Sequence, residues 1–189
     1  GKRRELRRRV RTVRDVPTVA IVGYTNAGKS TLLNNLTNSS VVAEDFLFAT
    51  LHPVSRRLRF PREREVIIID TVGFIRDIPP EIIESFYATL EEVVESDLIV
   101  NIIDISKPLH SIIEEISTGK EILRRIGAHG KPVIYVLNKI DKVPFNSATL
   151  LEEISKHIGD SEAVIAVSCT KGTNIDLLLE KIYTKLNKR

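Results

Sequence analysis

Beyond residue 15 the chain alternates short apolar runs, rich in β-branched residues, with longer stretches whose apolar positions recur at helical spacing. The runs are TVAIV (18–22), EVIIID (65–70), LIVNIID (98–104), PVIYVLN (132–138) and AVIAVS (163–168). They lack the strict polar alternation of a half-exposed strand, so they read as strands buried on both faces. Helical segments between them predict a mostly parallel sheet with helices on both sides, an α/β fold. In PPEIIESFYATLEEVVESD (79–97), Ile82, Ile83, Phe86, Leu90, Val93 and Val94 share one helical face behind two prolines, which predicts a helix. HPVSRRLRF followed by PRERE (52–65) predicts one antiparallel edge hairpin into VIIID. No internal repeat or low-complexity tract interrupts this order.

Composition narrows the class. A chain of 189 residues, 42% hydrophobic, suits one domain with a proper core. The single cysteine, Cys169, excludes an internal disulfide, and no apolar run approaches the ~20 residues needed to span a bilayer. With no secretory signal, the expectation is a cytoplasmic protein without membrane contact. The absence of methionine favours a piece of something longer, a processed terminus being the alternative. Charge is uneven: residues 1–15 carry eight Lys or Arg against Glu5 and Asp15, an arm of +6 that leaves −3 on the rest of a +3 chain. The expected organisation is a basic helical linker over 1–15 and one α/β domain over 16–189. A solvated charged helix is the plain reading of the arm, and contact with nucleic-acid phosphates is the other.

Candidate chemistry begins at GYTNAGKST, between the first apolar run and a helical segment, the setting that a G-x-x-x-x-G-K-[ST] loop requires. The loop residues Gly23, Tyr24, Thr25, Asn26, Ala27, Gly28, Lys29, Ser30 and Thr31 are expected to cradle a polyphosphate, with backbone N–H groups at the positive end of the helix. Lys29 adds a charge at the terminal phosphates, and the Ser30 hydroxyl is a candidate Mg²⁺ ligand. An ordinary glycine-rich turn is the bland alternative. NKID, Asn138 to Asp141, follows a strand at the edge where ligands gather. The Asp141 carboxylate can accept from both the N1–H and the N2 amine of guanine, whereas adenine would leave the charge unpaired. Asn138 would brace the loop, and the Lys139 stem would cover the ring. DTVG puts Asp70 at Mg²⁺ through water and the Gly73 N–H at the γ-phosphate, and the backbone of SCTKG (Ser168, Cys169, Thr170) could touch the base. A threonine must complete the metal shell, and Thr50 in FATLHP is better placed than Thr37. Lys29, Thr50 and Gly73 are thus the residues expected to act at the reacting phosphate.

GYTNAGKSTL, FATL, DTVGFIRD, FYATLEEV and NKID, in this order, resemble the HflX family of translation-factor-related GTPases over nearly the whole chain. The resemblance implies a Ras-like P-loop GTPase fold, Mg²⁺-dependent hydrolysis of GTP to GDP, and association with the rRNA of the large ribosomal subunit rather than with DNA. It also implies an N-terminal domain joined through an arginine-rich helical linker, which residues 1–15 resemble. Asn26 stands where several GTPases hold K⁺ beside the phosphates. Three positions depart from the usual patterns: His52 for Asp, Cys169 for Ala, and Phe74 where Ras-type proteins carry a water-orienting Gln. Phenylalanine can neither orient nor deprotonate water. It is either a hydrophobic residue turned to the core or a gate against water, and the isolated domain is expected to hydrolyse GTP slowly. Arg76 is either a solvated loop charge or an arginine acting in cis. A nucleotide-gated RNA- or partner-binding module with incidental hydrolysis is the alternative class. A nucleoside monophosphate kinase or ATPase is more distant, since NKID would have no role there.

Overall fold

Six strands form one sheet in the order β2-β3-β1-β4-β5-β6: β1 (Thr18–Gly23), β2 (Val54–Arg59), β3 (Glu65–Asp70), β4 (Leu98–Asp104), β5 (Val133–Asn138) and β6 (Ala163–Ala166). The computed structural model describes residues 16–37, 54–59, 65–71, 73–74, 80–144, 147–159 and 163–188, with the backbone alone for 54–59, 80 and 83. The basic arm, Thr50, His52 and Arg76 lie outside the described residues. Every described pairing is parallel except β2 with β3, the predicted hairpin.

The doubly buried reading of the apolar runs follows from the pleat. In β1 all six residues are buried. Val19 and Ile21 join Leu32, Leu33, Val66, Leu178 and Ile182 on one face, whereas Ala20 and Val22 join Phe86, Leu90, Val93, Ile112 and Ile116 on the other. At roughly 1.5–3 kcal/mol for each large aliphatic side chain removed from water, these two layers dominate the folding energy. The helices that cover them are α1 (Lys29–Thr37), α2 (Ile83–Thr89), α3 (Glu91–Glu95), α4 (Leu109–Arg125), α5 (Ala148–Ile158) and α6 (Ile175–Asn187).

One predicted element is divided. The helix expected over 79–97 is a 3₁₀ turn, Pro80–Ile82, then α2 and α3, with the break at Leu90. The Thr89 hydroxyl donates to the Phe86 carbonyl at 2.7 Å, and the Leu90 N–H goes to Tyr87 at 3.1 Å instead of continuing the α-helical ladder. A β-branched hydroxyl that bonds back into its own helix competes with the main chain in this way. Phe86, Leu90 and Val93 still reach the core, so the apolar face survives the break.

Candidate functional site

The carboxyl ends of β1, β3, β4, β5 and β6 all open on one edge of the sheet. The order reverses there between β3-β1 and β4-β5, the position where open α/β sheets gather ligands. Gly23 ends β1 opposite Ile102 of β4, and a Cβ at Gly23 would stand 2.6 Å from the Ile102 carbonyl oxygen. Glycine here therefore lets two strands close below the loop. Gly28 has φ +103°, and a Cβ on it would collide with the Asn138 side-chain amide. The loop thus needs its second glycine for backbone sign and for the approach of Asn138 together.

The loop then turns into α1, whose first N–H groups have no preceding helical carbonyl to donate to and face the ligand edge. Lys29, 9% exposed, extends from this turn and donates to Asp70 Oδ1 and to the Thr71 carbonyl, both at 2.8 Å. Lysine and aspartate therefore meet at the ends of α1 and β3. Ser30 is half-buried on the first turn of α1. Thr37, the other threonine weighed for the metal, is the last residue of α1 and bonds back to the Leu33 carbonyl at 2.7 Å. It stands roughly 10 Å along the helix from Ser30, too far to share an ion.

The base motif is tied into the phosphate loop. Asn138 Nδ2 donates to the Ala27 carbonyl at 2.9 Å, and Asn138 Oδ1 accepts from the Cys169 N–H at 3.0 Å. Lys139, in a left-handed backbone conformation (φ 70°), donates to the Asn26 carbonyl at 2.9 Å and to Asp104 Oδ2 at 2.8 Å. Asp141 is exposed and its Oδ1 accepts from the Ser168 hydroxyl at 2.7 Å. That bond is the main cause that holds its carboxyl below the ordinary carboxylate range, so it is an acceptor at neutral pH. An ionised carboxylate has about four lone-pair sites, so Ser168 leaves capacity for two further donors.

Cys169 is buried and ties the loop after β6 to α1 and β5. Its N–H goes to Asn138, and its carbonyl accepts from Asn35 Nδ2 of α1 at 2.5 Å, so both backbone groups belong to the brace. Thr170 is exposed beside it, and Ser168 closes the loop through paired backbone bonds with Thr173 at 3.0 and 3.2 Å.

Phe74 is fully buried, its ring edge-on to Tyr24 at 6.0 Å between centroids. The Phe74 N–H donates to the Gly23 carbonyl at 2.7 Å, and the Phe74 carbonyl accepts from the Thr25 N–H at 3.0 Å. Of the two readings of this position, the side chain occupies the one turned to the core. Gly73 lies against the phosphate loop, since a Cβ on it would stand 3.1 Å from Thr25 Cγ2. Two contributors escape the motif reading: Asp104, which bonds to Lys139, and Asn35. Asp104 alone had a signal, an acidic residue at the carboxyl end of an apolar strand.

This architecture has known counterparts. A family model described as 50S ribosome-binding GTPase matches residues 18–139. The HflX GTPase of Saccharolobus solfataricus is 41% identical over 89% of the chain and 48% of its own length. That of Caldanaerobacter subterraneus is 44% identical over 99% of the chain and 41% of its own length. The chain thus spans less than half of these relatives. Among solved structures, a GTP-binding protein of Sulfolobus solfataricus in complex with GDP is 36% identical, with TM-score 0.73 over 99% of this chain and 58% of that one. Era in complex with MgGDPNP and a segment of 16S ribosomal RNA is 32% identical, with TM-score 0.74 over 90% of this chain and 56% of that one. Both the fold and the sequence comparisons converge on one assignment: the chain is a P-loop GTPase domain and belongs to the HflX family.

Proposed function

We propose that the chain binds GTP with Mg²⁺, hydrolyses it to GDP and phosphate as a switch, and acts on the large ribosomal subunit. The single observation that carries the nucleotide part is the coupling of base motif to phosphate loop, Asn138 to Ala27 and Lys139 to Asn26, which makes one frame from two distant stretches of sequence. Guanine would be read by Asp141 and covered by Lys139. The phosphates would meet the N–H groups from Asn26 to Thr31, with Lys29 exchanging its bonds to Asp70 and Thr71 for the terminal phosphates.

The donor set suits Mg²⁺. One hydroxyl, Ser30, and one carboxylate, Asp70, are too few for a protein cage, and the described residues contain no group of three His, Cys, Asp or Glu that could hold a metal. Mg²⁺ prefers such a site, completed by water and substrate phosphate. When bound it would neutralise charge on the phosphates. Thr50 is proposed as the remaining ligand, released when the γ-phosphate leaves, and Gly73 as the N–H donor to that phosphate. Thr50→Ala is then expected to impair hydrolysis much more than GDP affinity, and equal losses would make Thr50 structural. Asn26, exposed and in the left-handed region at φ 66°, remains the candidate for K⁺, tested by hydrolysis rates in K⁺ against Na⁺.

Association with the large subunit is supported by the name of the matching family and by the resemblance of residues 1–15 to a basic linker. Competition binding with GTP, ATP and XTP tests the base assignment. Asp141→Asn should turn preference toward xanthine, whose 2-oxo group accepts where guanine donates. Retained preference for GTP would sink the assignment.

A further inference from the structure

Asp104 ends β4 opposite Asn138 and is 4% exposed. A carboxylate so far out of water is costly unless its charge and lone pairs are matched. Oδ1 accepts the Ser106 N–H at 2.9 Å and the Ser106 hydroxyl at 2.6 Å, while Oδ2 accepts Lys139 Nζ at 2.8 Å. The first two bonds close the turn after the strand, and a neutral amide oxygen would keep them. The third reaches into the base site. Because Lys139 Nζ also donates to the Asn26 carbonyl, its side chain is stretched between the end of β4 and the phosphate loop. Burial pushes the Asp104 carboxyl upward, yet the hydrogen bonds from Lys139 and Ser106 outweigh it and hold the group below the usual carboxylate range. It is anionic whenever a nucleotide could bind.

A lysine side chain has four rotatable bonds and about 2 kcal/mol of rotamer freedom to lose. A carbonyl accepts from an ammonium without balancing its charge, whereas a carboxylate adds an ion pair to the hydrogen bond. We propose that Asp104 is a positioning residue for the base site, its carboxylate fixing Lys139 in the extended conformation that covers the guanine ring before the nucleotide arrives. This deepens, and rests on, the guanine reading of Asn138, Lys139 and Asp141.

The test is a double-mutant cycle on the 189-residue chain, with GDP and ADP affinities for wild type, Asp104→Asn, Lys139→Met and the double variant. Asp104→Asn nearly keeps volume and, through its amide oxygen, the Ser106 bonds, and it replaces the anionic acceptor facing Lys139 with an amide N–H donor. It should weaken GDP binding about three- to tenfold, the scale of ordering one long side chain. In the Lys139→Met background the same change should cost less than about twofold, because there is no ammonium left to position. Equal losses in both backgrounds, or none in wild type, would overturn the proposal while leaving the guanine reading intact. Absence of a GDP preference in wild type would overturn both. Should Asp104→Asn fail to fold, the wild type still decides: NMR order at the Lys139 Cε methylene should be high without nucleotide. Mobility there equal to that of the exposed Lys188 would refute the pre-ordering.

Discussion

Burial holds the Cys169 thiol in its neutral form, pushed up to about 12, with the nearby Asp141 carboxylate as the second cause. A neutral, enclosed thiol is a poor nucleophile. Cys169 should therefore resist iodoacetamide at pH 8 in the native chain and react quickly in urea, and fast native labelling would mean that the brace from Asn138 and Asn35 opens readily. The raised value also sets a sign. The folded chain keeps a proton that the unfolded chain releases, so this contribution to stability is present below the ordinary thiol range and is lost as pH climbs from about 9 toward about 12. At this scale the sequence disclosed the loop and base residues, because glycine, lysine and aspartate at fixed spacing have few other reasons to coincide. It could not disclose that Cys169 N–H turns to Asn138 or that Asp104 holds Lys139. Those bonds join residues 31 and 35 positions apart, and their geometry exists only once β4, β5 and the loop after β6 lie side by side.

Among the elements, α4 carries a glycine in its middle, which ordinarily costs a helix about 1 kcal/mol relative to alanine. Gly119 faces the core: a Cβ there would lie 3.5 Å from Asn101 Nδ2 and 3.8 Å from Phe74 Cε2. Those are ordinary contact distances, so one methyl group fits and a longer side chain does not. Gly119→Ala should raise stability in urea by about 0.5–1 kcal/mol. Gly119→Leu should lower it by about 1–3 kcal/mol as it displaces the Phe74 ring. The opposite order would mean that the ring is not seated on α4. β1, β4 and β5 were readable because doubly buried strands are written as unbroken apolar runs, whereas β6, as apolar in sequence, is only half-buried; the antiparallel pair was readable from the charged sequence between its two strands. The break at Leu90 was hidden, since the apolar face continues through it and the competing bond comes from a single Thr89 hydroxyl.

At the scale of the whole molecule, the loop that should respond to the γ-phosphate is fastened to the core through Phe74. Its backbone joins Gly23 and Thr25 of the phosphate loop, and its ring lies between Tyr24 and Gly119. A residue so placed can set the position of Gly73 but offers nothing to water. Without a water-orienting side chain at the position after Gly73, unassisted hydrolysis is expected on the order of 10⁻⁴ to 10⁻² s⁻¹. A partner that fixes the segment after Phe74 and supplies charge at the γ-phosphate would raise it, and large ribosomal subunits are the proposed partner. Phe74→Ala is a blunt probe, because emptying a fully buried ring site costs about 3–5 kcal/mol of stability whatever the residue does in catalysis. Phe74→Leu nearly conserves volume, leaves the backbone bonds in place and serves better. It should leave GDP affinity within a few fold and keep or raise the basal rate, whereas added large subunits should accelerate wild type and variant alike. Single-turnover hydrolysis with and without subunits decides between outcomes. A Leu variant that binds GTP normally yet loses all hydrolysis would give Phe74 a direct part in the reaction, and a wild-type rate above about 1 s⁻¹ without any partner, far beyond the unassisted scale, would show that the domain is already complete.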